Sequence, residues 1–121
     1  MIVAGFGFRG GASADSLADA LDRACGPRPA ALATLDDKAR SPAFSELAAR
    51  LGLPVIAVSQ EAARGVGTPT SSTASQSARG VGSVAEASAL AAAGPGARLV
   101  APRVVSADRN ATCALAEGTA P

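Results

Sequence analysis

Residues 2–13 read I-V-A-G-F-G-F-R-G-G-A-S, and how this stretch is parsed decides the fold. Ile2, Val3 and Ala4 form a short apolar run that ends on glycines, the pattern of a strand buried on both faces of a parallel sheet. Ser13 stands where a helix cap belongs, and Asp15 places negative charge in the first turn. Leu17, Ala20, Leu21 and Ala24 then fall on one face before Gly26 and Pro27 end the helix. Gly5 to Ser13 is accordingly a glycine-rich turn between a first strand and a first helix.

Working outward, Ala30 to Leu35 reads as a second strand. Ser41 and Pro42 open a second helix, the hydroxyl capping it while proline lacks an amide that would have gone unpaired. Phe44, Leu47, Ala48 and Leu51 make its apolar stripe, Gly52 and Pro54 close it, and Val55 to Val58 is a third strand. Strand, helix, strand, helix, strand predicts right-handed parallel crossovers. The Gly-, Ser- and Thr-rich stretch from Gly65 to Gly82 reads as a long connection, with one short helical turn near Ser72 to Ala78. Ser83 with Glu86 fits a capping box at the head of an alanine-rich helix that runs to Gly94. Arg98 to Ala101 and Thr112 to Ala116 are the last strands. The short spacer between them, turning at Asp108, Arg109 and Asn110, has no room for a crossover helix and predicts an antiparallel pair. The expected fold is α/β, a single three-layer α/β/α domain over residues 1–121 with a mainly parallel sheet of about five strands.

Composition narrows the chemistry. Eleven basic and ten acidic residues give a net charge of +1, without the basic footprint that nucleic acid demands. No apolar stretch approaches the roughly 20 residues of a membrane helix, and the chain starts directly on a strand, so a cytoplasmic protein is expected. Cys25 and Cys113 stand far apart and histidine is absent, which argues against a metal site or a disulfide framework. Any chemistry rests on carboxylates, Lys, Arg, hydroxyls or backbone amides, and no cofactor is implied.

Gly5, Gly7 and Gly10 satisfy G-x-G-x-x-G, and Asp36 or Asp37 follows the second strand where a ribose-binding acid would sit. One reading is therefore a small nucleotide-binding module. Against it, the helix starts late, at Ser13, and Arg9 occupies the approach to the phosphates. A second reading is a general anion site built from helix-start amides, close-approach glycines and the Arg9 guanidinium. A third is a structural turn that needs positive φ at Gly5, Gly7 or Gly10. Lys38 adds a separate hint, because the other ten basic residues are all Arg. It is a candidate for contacting a carboxylate, for proton transfer with Asp36 or Asp37, or for an ordinary surface ion pair.

Four blocks in order carry a resemblance: V-A-G-F-G-F-R-G-G-A-S at residues 3–13, A-T-L-D-D-K-A at 33–39, E-L-A-A-R-L-G-L-P at 46–54 and G-V-G-S-V-A-E-A-S-A-L at 80–90. R-L-V-A-P-R at 98–103 and A-T-C-A-L-A at 111–116 extend it to the end of the chain. Together they resemble the CobE and CbiG C-terminal domain family of cobalamin biosynthesis, in its stand-alone CobE-like form. The chain departs from the family pattern in its Ser- and Thr-rich stretch at 65–77 and in the closing hairpin, where residues 104–110 replace a basic, glycine-containing turn.

The resemblance implies binding of a corrinoid or precorrin intermediate, to carry it or assist a step in the aerobic pathway. It leaves open whether the chain is an enzyme, with a CbiG-like lactone hydrolase as the alternative. Other enzymes of the pathway would be partners, and a small apolar-rich domain also favours a homodimer without fixing its face. The expected ligand-binding residues are Gly5, Gly7, Arg9, Gly10, Gly11, Ser13, Lys38, Gly82, Ser83 and Glu86, with Asp36, Asp37 and Lys38 as candidate catalytic groups. A metal site is not expected.

Overall fold

The first strand, β1 (Ile2–Phe8), runs straight through Gly5 and Gly7 instead of stopping before them. In this computed structural model, which describes residues 1–64 and 84–118, β1 is the central strand and is paired along both sides. It pairs in parallel with β2 (Ala31–Leu35) over Val3 to Gly5, and antiparallel with β5 (Ala111–Glu117) from Ile2 to Phe8. Those ladder bonds outweigh the weak strand propensity of glycine.

The sheet order is β3-β2-β1-β5-β4, with β3 at Val55–Val58 and β4 at Arg98–Val105. β1, β2 and β3 are parallel to one another, as the alternating strand and helix pattern requires. The predicted antiparallel hairpin of β4 and β5 is present, and β5, not β4, lies against β1. Two of the four pairings are therefore antiparallel. The sheet is mixed rather than mainly parallel, because the short hairpin folds its second strand back into the middle.

Helices α1 (Ala14–Ala24) and α2 (Pro42–Leu51) cover one face, and α3 (Gln60–Arg64) and α4 (Val84–Ala93) cover the other. The three layers are thus those expected. The first face is packed with large groups: Phe6, Leu17, Leu32, Phe44, Leu47 and Leu115 are buried together. Phe6 meets Phe44 edge-on at 5.6 Å and Phe8 stacks on it at 5.9 Å, each pair adding about 0.5–1.5 kcal/mol beyond area burial.

The second face is built from small groups, with Ala33, Ala63, Ala87, Ala89, Ala93 and Ala116 all buried. Small side chains let α4 lie almost on the backbone of β1. A Cβ added at Gly5 would overlap the Ala85 carbonyl oxygen and stand 2.8 Å from the Ala89 Cβ. Glycine is required there for close approach, not for its dihedral freedom.

The local signals behave unevenly. Ser13 caps α1 as expected, and Gly52 ends α2 with φ of 66°. Ser41 sits at the head of α2, yet its hydroxyl makes no cap bond there, so Pro42 alone marks that start. The five-residue α3 was not anticipated; the Ser59 hydroxyl accepts the Ala62 amide at 3.1 Å and caps it. The helical turn expected near Ser72 to Ala78 lies outside the described residues. Among the described residues no helix is long and apolar enough to cross a membrane.

Candidate functional site

The three parallel strands all end at one edge of the sheet, and their loops gather there. Residues 9–13 follow β1, residues 36–41 follow β2, and Ser59 follows β3. The β4–β5 hairpin reaches the same edge, because Ala111 at the start of β5 is paired with Phe8 at the end of β1. Val84, the first described residue of α4, would lie 3.2 Å from a Cβ on Gly7, so that helix also begins near this edge.

The glycine-rich segment divides in two. Gly5 and Gly7 belong to β1 and face α4 and Thr112, so they are not part of the turn. Gly10 and Gly11 are exposed, and a Cβ at either would meet nothing within 4 Å. None of the four has positive φ, so the left-handed conformation expected of a structural turn is not what these glycines supply. Nor does the dinucleotide pattern take its geometry. Two of its glycines are held in a strand ladder, and α1 begins only at Ala14, beyond the last of them.

Ser13 and Ser16 form a reciprocal capping box, with the Ser16 amide donating to Ser13 Oγ at 3.1 Å and the Ser13 amide to Ser16 Oγ at 3.2 Å. The Ser13 hydroxyl is thereby engaged within the helix start. After β2, the Asp36 amide donates to the Val58 carbonyl at 2.8 Å and the Lys38 amide to the Leu35 carbonyl at 2.9 Å, which fixes that loop. Asp36 and Asp37 are exposed, whereas Lys38 is half-buried with its Nζ 5.3 Å above the centre of the Phe8 ring. Arg9, at the exposed tip of the first turn, is tied to the hairpin by its amide, which donates to the Asn110 carbonyl at 2.9 Å.

Glu86 is placed differently. It is fully buried, and its carboxylate accepts the Arg103 amide at 3.0 Å. Arg103 lies where the β4–β5 register shifts between Ala101 and Val104, so the carboxylate satisfies a donor that the bulge takes out of the ladder. Gly82 and Ser83, with the expected capping box, lie outside the described residues.

Among the described residues Arg23 pairs with Asp19, Arg50 bridges Asp15 and Glu46, and Arg98 pairs with Glu117. Arg9, Lys38, Arg40 and Arg109, all on loops at the carboxyl edge, make no ion pair among the described residues, and nor do Arg28 at the opposite edge and Arg103 on β4. Arg40 and the hairpin residues were not among the predicted site residues. A turn was legible at residues 108–110, but its arrival beside Arg9 depends on the pairing of β5 with β1, which no local pattern announces. At the opposite edge, Leu21, Cys25, Arg28 and Leu115 help line a shallow cleft of about 240 Å³ that contains none of the predicted residues.

The whole chain can now be set beside known proteins. The model of the family described as Cobalamin synthesis G C-terminus matches residues 2–116. The crystal structure of CobE, a protein from the cobalamin (vitamin B12) biosynthetic pathway, superposes with a TM-score of 0.84 at 33% identity, covering 96% of this chain and 89% of that one. The cobalamin biosynthesis protein chiG from Agrobacterium tumefaciens str. C58 superposes with a TM-score of 0.75 at 37% identity, over 99% of this chain and 100% of that one. A putative cobalamin biosynthesis protein G homolog from Sulfolobus solfataricus shares the fold at a TM-score of 0.67 and 19% identity, with this chain spanning 36% of it. Among curated proteins none matches the chain. A family match over residues 2–116, together with superposition on CobE and chiG over nearly the whole chain, makes this chain a member of the Cobalamin synthesis G C-terminus family and a cobalamin biosynthesis protein.

Proposed function

We propose that the chain binds a corrinoid intermediate along the carboxyl edge of its sheet, to carry it or to assist a step of ring contraction. The observation that supports this most is the set of four cations, Arg9, Lys38, Arg40 and Arg109, without ion-pair partners among the described residues. A corrin macrocycle is an apolar disc rimmed with acetate and propionate carboxylates. Its rim calls for cations and amide donors, and its face calls for apolar surface. Gly10 and Gly11 leave the approach to the edge open on the protein side.

Magnitudes divide the work between rim and disc. Each exposed cation–carboxylate pair contributes under about 1 kcal/mol in water. Four of them fall short of the roughly 8 kcal/mol that micromolar binding needs. The remainder must come from apolar ring surface buried at about 25 cal/mol per Å², for which half-buried Phe8 lies at the edge.

Titration of the protein with hydrogenobyrinic acid, followed in the visible absorption band, tests the reading, with NAD and ATP as controls. A spectral shift that weakens with added salt is expected, since exposed charges are screened. No response to the corrinoid alongside tight NAD binding overturns it. In a separate assay, release of a two-carbon fragment from a lactone intermediate supplied to the isolated chain would favour the hydrolase alternative, for which Asp36, Asp37 and Lys38 are the candidate catalytic groups.

A further inference from the structure

The tip of the β4–β5 hairpin holds a residue whose backbone and charge are both unusual. Arg109 has φ of 63°, the left-handed region that glycine and asparagine occupy at low cost and that a long side chain occupies only against a penalty. The neighbouring carboxylate, the natural partner for that guanidinium, is already committed. Asp108 accepts the Ser106 hydroxyl at 2.6 Å, the Asn110 amide at 3.0 Å and the hydroxyl of Ser16 on α1. The tip is fastened at two further points, by the Ala107 amide donating to Asp19 at 2.7 Å and the Arg9 amide donating to the Asn110 carbonyl. Arg109 is thus exposed, makes no ion pair among the described residues, and is carried by a turn that is tied down on both sides.

We infer that Arg109 is a carboxylate-binding residue of the loop edge, and that Asp108 is the positioning residue that holds it and Arg9 in one preorganised rim. A left-handed arginine beside a carboxylate spent on serines is a poor choice for stability alone. It is the arrangement expected where strain is retained for binding. The bond from Arg9 to Asn110 makes the two cations members of one unit, so that a ligand carboxylate meets guanidinium groups whose loops need no reordering. The ligand's identity as a corrinoid rests on the function proposed above; the anion-binding role of Arg109 does not.

The test compares wild type, Arg109→Asn, Asp108→Ala and the double variant by thermal melting, amide hydrogen exchange, and titration with hydrogenobyrinic acid and separately with citrate. Arg109→Asn relieves the backbone, so Tm should hold or rise by up to about 3 °C, while affinity for the corrinoid falls about fivefold. Asp108→Ala should speed exchange of the Arg9 and Asn110 amides at least about tenfold, a readout of the clasp itself. It should also weaken binding, with the double variant losing less than the sum of the two single variants because Asp108 acts partly through Arg109, the remainder being the share that Arg9 supplies. Citrate should perturb the Arg109 Nε–H resonance of wild type. A wild type that responds to citrate at Arg109 but to no corrinoid ends the corrinoid reading and keeps the anion arm. Arg109→Asn that binds as tightly as wild type, or that melts several degrees lower, overturns the inference, as does unchanged exchange in Asp108→Ala.

Discussion

Gly5 and Gly7 belong to the same run of sequence as Gly10 and Gly11, yet the two pairs answer to different physics. The first pair lies in β1, where the missing Cβ leaves room for α4 and Thr112. The second pair is on the loop edge, where a Cβ would touch nothing in the protein. A glycine with a neighbour pressed against it is explained by packing. A glycine in open space, with no positive φ, is required by no contact among the described residues. The contrast shows that a glycine motif cannot be read as one unit.

The largest effect should come at Gly5. Its added Cβ overlaps the Ala85 carbonyl oxygen, a backbone atom that no side-chain truncation removes, so Gly5→Ala should cost about 3 kcal/mol or more. Against a total stability of roughly 5–15 kcal/mol, the urea midpoint should drop severely and soluble yield with it. A Gly5→Ala protein with the wild-type midpoint would break the comparison at its root. Gly7→Ala should be milder, about 1–2 kcal/mol, because its nearest neighbour is the Thr112 hydroxyl at 2.9 Å, which can rotate away, and the Val84 Cβ at 3.2 Å needs to give by only a few tenths of an ångström. Adding Thr112→Ala, which removes the closest of these atoms, should recover part of the loss, and additivity of the two substitutions would show that the Thr112 hydroxyl is not the obstacle.

This division also marks how far the sequence can be read. Helices α1 and α2 and strands β2 and β3 were legible because their signals are local: a Ser13 cap, a Pro42 start, a Gly52 stop and apolar stripes at helical spacing. The hairpin was legible from spacing alone. What was not legible is non-local. Gly5 reads as a turn residue until α4 is laid across it, and β1 ends at Phe8 only because β5 pairs along its whole length. The same hidden pairing brings Asp108 and Arg109 beside Arg9. Glu86 was expected at a helix cap or a ligand, but it serves a bulge in β4 that no periodicity reveals.

On the open side of the comparison, Gly10→Ala and Gly11→Ala should change stability by no more than about 0.5 kcal/mol, and a small gain from a stiffer unfolded chain is expected. If either glycine admits a ligand, affinity for hydrogenobyrinic acid should fall while the melt is unmoved. Loss of stability at Gly10 comparable to that at Gly7 would erase the distinction between the pairs. The hairpin that flanks this turn has its own acid signature. The Ser106 hydroxyl first, then the Ser16 hydroxyl and the Asn110 amide, hold the Asp108 carboxyl down to about 2. A lowered folded value means that its contribution is complete above the ordinary value of 3.8 and is lost as pH falls through about 2. Amide exchange at Arg9, corrected for its intrinsic pH dependence, should therefore show an acid-side loss of protection that Asp108→Asn abolishes.

Lys38 gives the smallest and most selective effect. Its ammonium group lies over the Phe8 ring at 5.3 Å, a contact worth about 0.5–1 kcal/mol at a partly exposed site. Lys38→Met keeps the aliphatic stem on the ring and removes the charge, so stability should fall by no more than that. Lys38→Arg should preserve stability, because a guanidinium stacks on an aromatic face at least as well. Binding separates the possible roles. If Lys38 serves only Phe8, both variants should bind hydrogenobyrinic acid like wild type. If it meets a ring carboxylate as a charge, Lys38→Met should lose about fivefold in affinity while Lys38→Arg retains most of it. If proton transfer with Asp36 or Asp37 is its role, Lys38→Arg should bind normally yet fail in turnover, since arginine does not deprotonate at working pH.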